Sequence, residues 1–152
     1  MRIARATRAQ AGAMAALMAG SPLLRRYGVT ETSARASLAA AEQSGGTLMV
    51  AADGGRVVGL AWLIVTAALD RSAYLRLLLV APGSRSRGIG AALLGRIERV
   101  ARDRGCRHVV LLVTRTNRRA RAFYARHGYR HVGDLPGFVR PRIDESLYTK
   151  AV

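Results

Sequence analysis

Apolar positions along this chain repeat with two periods, and the switches between them mark the elements. Residues 2–6 suit a short edge strand. Thr7 can cap a helix that carries Ala9, Ala13, Ala16 and Leu17 roughly on one face and runs to about Met18. Gly20-Ser21-Pro22 breaks it, and residues 23–27 read as a short helical turn. Thr30 or Thr32 opens a helix over 34–43, ended by Ser44-Gly45-Gly46. Residues 47–52 and 56–66 flank Asp53-Gly54-Gly55, the pattern of a hairpin. A third strand covers residues 73–80.

The second half alternates between strand and helix. A Gly- and Arg-rich loop over 85–90 follows the third strand. Residues 89–104 then read as a helix, with Leu93, Leu94, Ile97 and Val100 at helical spacing, stopped by Gly105. Residues 108–114 form an apolar buried strand. Asn117 caps a helix bearing Ala120, Phe123 and Tyr124, which Gly128 ends. Strands follow at 129–133 and 146–150. Strand, loop, helix, strand is a crossover unit and hence a parallel pair. Joined to an antiparallel meander, it predicts an α+β fold with a mixed, mostly antiparallel sheet and flanking helices. No linker, repeat or low-complexity tract divides residues 1–152, so a single domain is expected.

Composition narrows the function classes. The chain has 152 residues and a formal net charge of +16, with 24 Arg against a single lysine, Lys150. No apolar run reaches the roughly 18 residues of a membrane span. The first residues, Met1-Arg2-Ile3-Ala4-Arg5, lack the apolar core of a signal peptide, so a cytoplasmic protein without a membrane partner is expected. One cysteine, Cys106, excludes an internal disulfide framework and a Cys-rich zinc site, and three scattered histidines make no metal site. Arginine excess suits an anionic ligand, with nucleic acid as one candidate. The arginines are scattered without aromatic interleaving, however, and no helix-turn-helix or RNA-binding motif is present, which weighs against nucleic acid.

The segment with most chemical content is Leu77-Leu78-Leu79-Val80-Ala81-Pro82, followed by Arg85-Ser86-Arg87-Gly88-Ile89-Gly90-Ala91. A strand delivers the chain to glycines that let the backbone approach a ligand closely. The helix that follows presents unpaired N–H groups and partial positive charge, and Arg85 and Arg87 add full charges. A pyrophosphate is the natural occupant. A P-loop is excluded, because it needs Gly-Lys and the only lysine is Lys150. A dinucleotide fingerprint fails at Leu93, where a glycine or alanine is needed. A second group, Asn117, Ala120, Phe123-Tyr124 and Gly128-Tyr129, lies about 30 residues beyond the loop.

Together these two groups resemble the GNAT superfamily of N-acetyltransferases. Arg85, Gly88 and Gly90 match its cofactor motif, and the second group matches its Asn…Ala…Phe/Leu-Tyr…Gly-Phe/Tyr motif in order and spacing. The likeness covers about residues 1–150 and is specific over 73–130. It implies acetyl-CoA as cosubstrate, with backbone groups of Leu78, Leu79 and Val80 holding the pantetheine arm. Ser86, Arg87, Gly88, Ile89, Gly90 and Ala91 would hold the pyrophosphate, with Arg85 adding charge, and Asn117 would contact the arm beside the thioester. Tyr124 would protonate the departing thiolate. The two parallel strands would splay apart at their C-terminal ends to open the cofactor slot. No metal is implied. The acceptor would be a small-molecule amine or a protein N-terminal amine, and a homodimer is left open.

The general base has no match. Relatives carry a glutamate at the position of Tyr74, or at that of Leu112 five residues before the asparagine; neither is a carboxylate here. Glu145, Asp134 and His131 are the alternatives, and nothing in the spacing favours one. Trp62 and Tyr27 are candidates for the acceptor pocket or for core packing, and the acceptor is also expected to meet a loop over 135–141. One of Arg118, Arg119 and Arg121 is a candidate for a cofactor phosphate, against a simple solvated face. The reading that competes with catalysis is an acyl-CoA-binding sensor without turnover.

Overall fold

A computed structural model describes residues 1–152. Seven strands form one mixed sheet in the order β1-β2-β3-β4-β5-β7-β6. The strands are β1 (Arg2–Arg5), β2 (Thr47–Asp53), β3 (Arg56–Val65), β4 (Ala73–Val80), β5 (His108–Thr114), β6 (Arg130–Arg140) and β7 (Ile143–Ala151). β1–β2, β2–β3, β5–β7 and β6–β7 run antiparallel, and β4–β5 is the expected parallel pair. Two compact units are distinguishable: Met1–Ile64 with Leu77–Ile97, and Val65–Arg76 with Glu98–Val152.

In the first unit, local side-chain chemistry sets where the helices begin. Thr7 N–H donates to Gln10 Oε1 at 2.9 Å, holding a 3-10 turn before α1 (Ala11–Ala19). Pro22 is both the stop of α1 and the first residue of α2 (Pro22–Arg26). Its missing N–H is an orphan donor there in any case, and Ser21 Oγ accepts from Leu24 N–H at 3.3 Å. α3 (Glu31–Gln43) starts three residues before the expected position. Thr30 caps it reciprocally with Ser33, at 3.1 and 2.9 Å. Met14, Met18, Leu38, Leu48, Val50 and Leu60 form the core. Trp62 belongs to it, only 6% exposed, so core packing and not an acceptor pocket explains this side chain.

The same unit contains the start of α5 (Ile89–Asp103), which sits directly on β3 at Gly59. A Cβ there would lie 2.9 Å from Leu93 Cδ1 and 3.2 Å from Ile89 Cγ2. Both leucine and isoleucine are fully buried, so neither can swing away. Gly59→Val is therefore expected to destabilise the protein by about 1–3 kcal/mol through overpacking, read as a lower urea midpoint at unchanged slope.

The second unit carries the β4–β5 pairing, which covers Ala73↔Val109, Tyr74↔Val110 and Leu75↔Leu111 and ends short of the C-terminal end of both strands. Just before β4 the chain makes one turn, α4 (Ala68–Arg71), that is left-handed at Leu69, Asp70 and Arg71. Ser72 Oγ closes it by donating to the Leu69 carbonyl at 2.7 Å. Cys106 is buried, as a small apolar filler would be. Below β5, Glu98 Oε1 accepts from Lys150 Nζ at 2.9 Å and from the Tyr129 hydroxyl at 3.2 Å.

Residues 135–141 are not a free loop. β6 runs through most of them to Arg140, and β7 begins at Ile143, so the last two strands form one long hairpin. β6 is an edge strand, where Pro136 loses no ladder bond. The kink is absorbed as a register shift between Leu135 and Arg140. Gly137 makes it possible, with φ of +58° and the Pro141 carbonyl 3.1 Å from where a Cβ would sit.

Candidate functional site

In the first unit, Leu77 and Leu79 pack against the helical core. Strand alternation therefore turns Leu78 and Val80 to the opposite face. Ala81 N–H still donates to the Val58 carbonyl at 2.9 Å, so the chain leaves β4 in a fixed direction. A 3-10 turn over Pro82–Ser84 follows. Ser86 and Gly88 then both adopt left-handed φ, +63° and +76°. Such curls point successive N–H groups to one side and make a concavity for an anion. Gly88 O accepts from Ala92 N–H at 3.0 Å, the first bond of α5. The N–H groups of Ile89, Gly90 and Ala91 consequently have no carbonyl within the helix. Arg85 Nε reaches back to the Val80 carbonyl at 3.3 Å. Arg87 pairs with Asp53 at 3.0 Å, but its side chain is 56% exposed, and so exposed a pair holds it weakly.

In the second unit, Asn117 Oδ1 accepts from Ala120 N–H at 3.1 Å and caps α6 (Arg118–Arg126), as the sequence predicts. Tyr124, seven residues on, is 8% exposed. Its ring meets Phe123, Tyr129 and Tyr148 at centroid distances of 5.3, 5.6 and 6.5 Å. Burial pushes its phenol far above the usual range, so it stays protonated at any physiological pH. Arg121 is half-exposed and turned back onto the chain: Nε donates to the Tyr148 hydroxyl at 3.1 Å and Nη1 to the Arg115 carbonyl at 3.2 Å. Two of its guanidinium nitrogens are thus engaged within the chain.

The three base candidates separate in the structure. His131 and Asp134 engage each other at 2.9 Å, and Ser146 Oγ donates to Asp134 at 2.6 Å. The Ser146 hydrogen bond, then that of His131, holds the Asp134 carboxyl below the usual range. Glu145 is different: it is 3% exposed, on a strand whose alternate positions Ile143 and Leu147 are apolar. Tyr74 is half-buried, and its phenol is pushed up by burial, with Arg76 opposing and the Glu145 charge adding to the shift. The interruption of the apolar row 143-145-147 by a glutamate is the sequence signal that could have singled out Glu145. No helix of the chain is long and apolar enough to cross a membrane.

The residues 18–129 match the model of a family described as the acetyltransferase (GNAT) family. Uncharacterized N-acetyltransferases of Mycobacterium bovis and Mycobacterium tuberculosis are 37% identical over 83 residues, covering 55% of this chain and 52% of theirs. The chain thus spans about half the length of the curated relatives it matches. Among solved structures, the ribosomal-protein-alanine N-acetyltransferase of Brucella melitensis superposes with a TM-score of 0.81 at 22% identity, over 100% of both chains. An aminoglycoside 6'-N-acetyltransferase complexed with coenzyme A gives 0.84 at 18% identity, over 99% of this chain and 97% of the other.

Proposed function

This chain belongs to the acetyltransferase (GNAT) family, and from that premise we propose that it is an acetyl-CoA-dependent N-acetyltransferase acting on a primary amine. The observation that carries the reading is the loop at the start of α5. Two left-handed residues, Ser86 and Gly88, lead into three N–H groups with no helical partner, as a pyrophosphate requires. In this reading Leu78, Leu79 and Val80 hold the pantetheine arm through their backbone, in the manner of an added strand. Asn117 contacts the arm beside the thioester, and Tyr124 serves the sulfur.

The reaction is direct attack in a ternary complex. The amine nitrogen, once unprotonated, forms a bond to the thioester carbonyl carbon, and the C–S bond breaks. The Tyr124 hydroxyl gives its proton to the leaving sulfur and regains one released by the nitrogen. Strand N–H groups near Val80 stabilise the oxygen that becomes negative on the way. An ammonium acceptor and acetyl-CoA thereby give amide, free thiol and one proton. The likeness to structures named for ribosomal-protein alanine and for aminoglycosides leaves the acceptor open between a protein N-terminus and a small amine.

The test is steady thiol release from acetyl-CoA over a panel of primary amines and N-terminal peptides. Turnover with any of them supports the reading. Tight acetyl-CoA binding without thiol release would establish a sensor instead. Salt-sensitive binding to random DNA without acetyl-CoA binding would establish a nucleic-acid module.

The loop arginines give an electrostatic check. Replacing Arg85 or Arg87 by alanine is expected to weaken acetyl-CoA affinity by about three- to tenfold and to flatten its salt dependence, with the saturated rate nearly unchanged. Titration calorimetry at two salt concentrations measures this; a large loss of saturated rate at unchanged affinity would contradict the role.

A further inference from the structure

The reaction above needs a receiver for the first proton of the acceptor. A primary amine is an ammonium ion at neutral pH and cannot attack until a proton leaves. Neither Tyr74 nor Leu112 can take it as a carboxylate would. The second unit nevertheless carries a carboxylate beside them. The strand registers pair Tyr74 with Val110, Leu112 with Leu147, and Thr114 with Glu145. Cross-strand partners project to one side of a sheet, so Tyr74, Leu112 and Glu145 share a face. Leu112 and Glu145 are diagonal neighbours on it, about 7–8 Å apart, within reach of a long side chain. A carboxylate on Glu145 therefore serves the space that one at position 112 would serve.

The helical segments of this unit engage the other face. Tyr148 meets Arg121 and Tyr124 of α6, and Lys150 meets Glu98 of α5. On the Glu145 face, Tyr74, Leu112 and Leu147 are only half-buried, whereas Glu145 is almost completely enclosed. A carboxylate so enclosed is a partnered one, and its partners hold it in a fixed position. The other charged or titratable groups on this face are Tyr74 and Arg76 of β4, His108 of β5, and Arg130 and Arg140 of β6, which stand opposite Thr149 and Ile143. The glutamate also lies at the end of β5 that turns into α6, where Asn117 N–H donates to the Thr114 carbonyl at 2.8 Å.

We propose that Glu145 receives the ammonium group of the acceptor amine and takes one of its protons, leaving the nitrogen lone pair free to attack. The assignment rests on the N-acetyltransferase reading. One N–H bond breaks, one O–H bond forms on the Glu145 carboxyl, and that proton later leaves to solvent.

The wild-type rate with acetyl-CoA and the best amine of the panel tests the acetyltransferase reading by itself. Against that rate, Glu145→Gln keeps the shape and removes the base. It should lower the saturated rate by about a hundredfold or more, while acetyl-CoA affinity by calorimetry stays within about twofold. Glu145→Asp should retain an intermediate rate. In Glu145→Ala, added sodium formate should restore the rate by roughly tenfold, a rescue that a merely structural side chain would not show. If the alanine variant does not fold, the glutamine variant decides alone. A glutamine variant within about threefold of the wild-type rate overturns the proposal. So does a loss of rate matched by an equal loss of acetyl-CoA affinity, or a folded alanine variant that formate does not rescue.

Discussion

Replacing Gly90 by valine is expected to abolish acetyl-CoA binding in a chain that still folds. Gly90 is the second residue of α5, within the stretch whose N–H groups lack helical partners. In a helix every Cβ tilts toward the N-terminus. A valine at 90 thus places its methyl groups where an anion must come to meet those N–H groups. Losing two such charge-assisted bonds costs about 3 kcal/mol or more, over a hundredfold in affinity. Helix propensity predicts no penalty, since valine is a better helix former than glycine. Gly88 would be a poorer choice. Its φ of +76° strains any side chain by about 1–2 kcal/mol, although a Cβ there meets no atom within 4 Å. Calorimetric titration of acetyl-CoA, with circular dichroism and thermal melting on the same sample, separates binding from folding. Unchanged affinity in a folded Gly90→Val chain would remove the loop from the cofactor site.

Much of this fold was legible because local signals agreed with tertiary packing. Asp53-Gly54-Gly55 between two apolar runs, Gly105 after a strong helical stripe, and Asn117 three residues before Ala120 each act over a few residues. Two threonines compete as caps of α3, and only the Thr30–Ser33 exchange of hydrogen bonds decides for Thr30 and sets the start at Glu31. The long hairpin was missed. Pro136 and Gly137 read locally as a loop, and only pairing to β7 on a sheet edge makes them strand. The role of Trp62 was open until its enclosure by the helical core was known. Glu145 was hardest to single out. Its distinction from Asp134 and His131 is burial and cross-strand register, and neither exists until β5, β6 and β7 are placed side by side.

Tyr124→Phe is expected to lower the saturated rate by about ten- to a thousandfold with acetyl-CoA affinity nearly unchanged. Asn117 caps α6 and Tyr124 lies seven residues on, about two helical turns along it. In the proposed mechanism both residues meet the thioester end of the cofactor. The ring is fixed by edge contacts with Phe123 and Tyr129, which phenylalanine preserves, so the substitution removes the hydroxyl and little else. Desolvation keeps the phenol protonated, so the donor is present throughout the neutral range and contributes no fall in rate between about pH 6 and 9. A thiolate leaves tolerably unaided, which sets the lower end of the expected loss. Saturated rate and cofactor affinity should be measured on the same folded variant, under conditions in which chemistry and not product release limits turnover. A matching loss in both would mean that the hydroxyl serves binding or packing, and a full wild-type rate would remove Tyr124 from the mechanism.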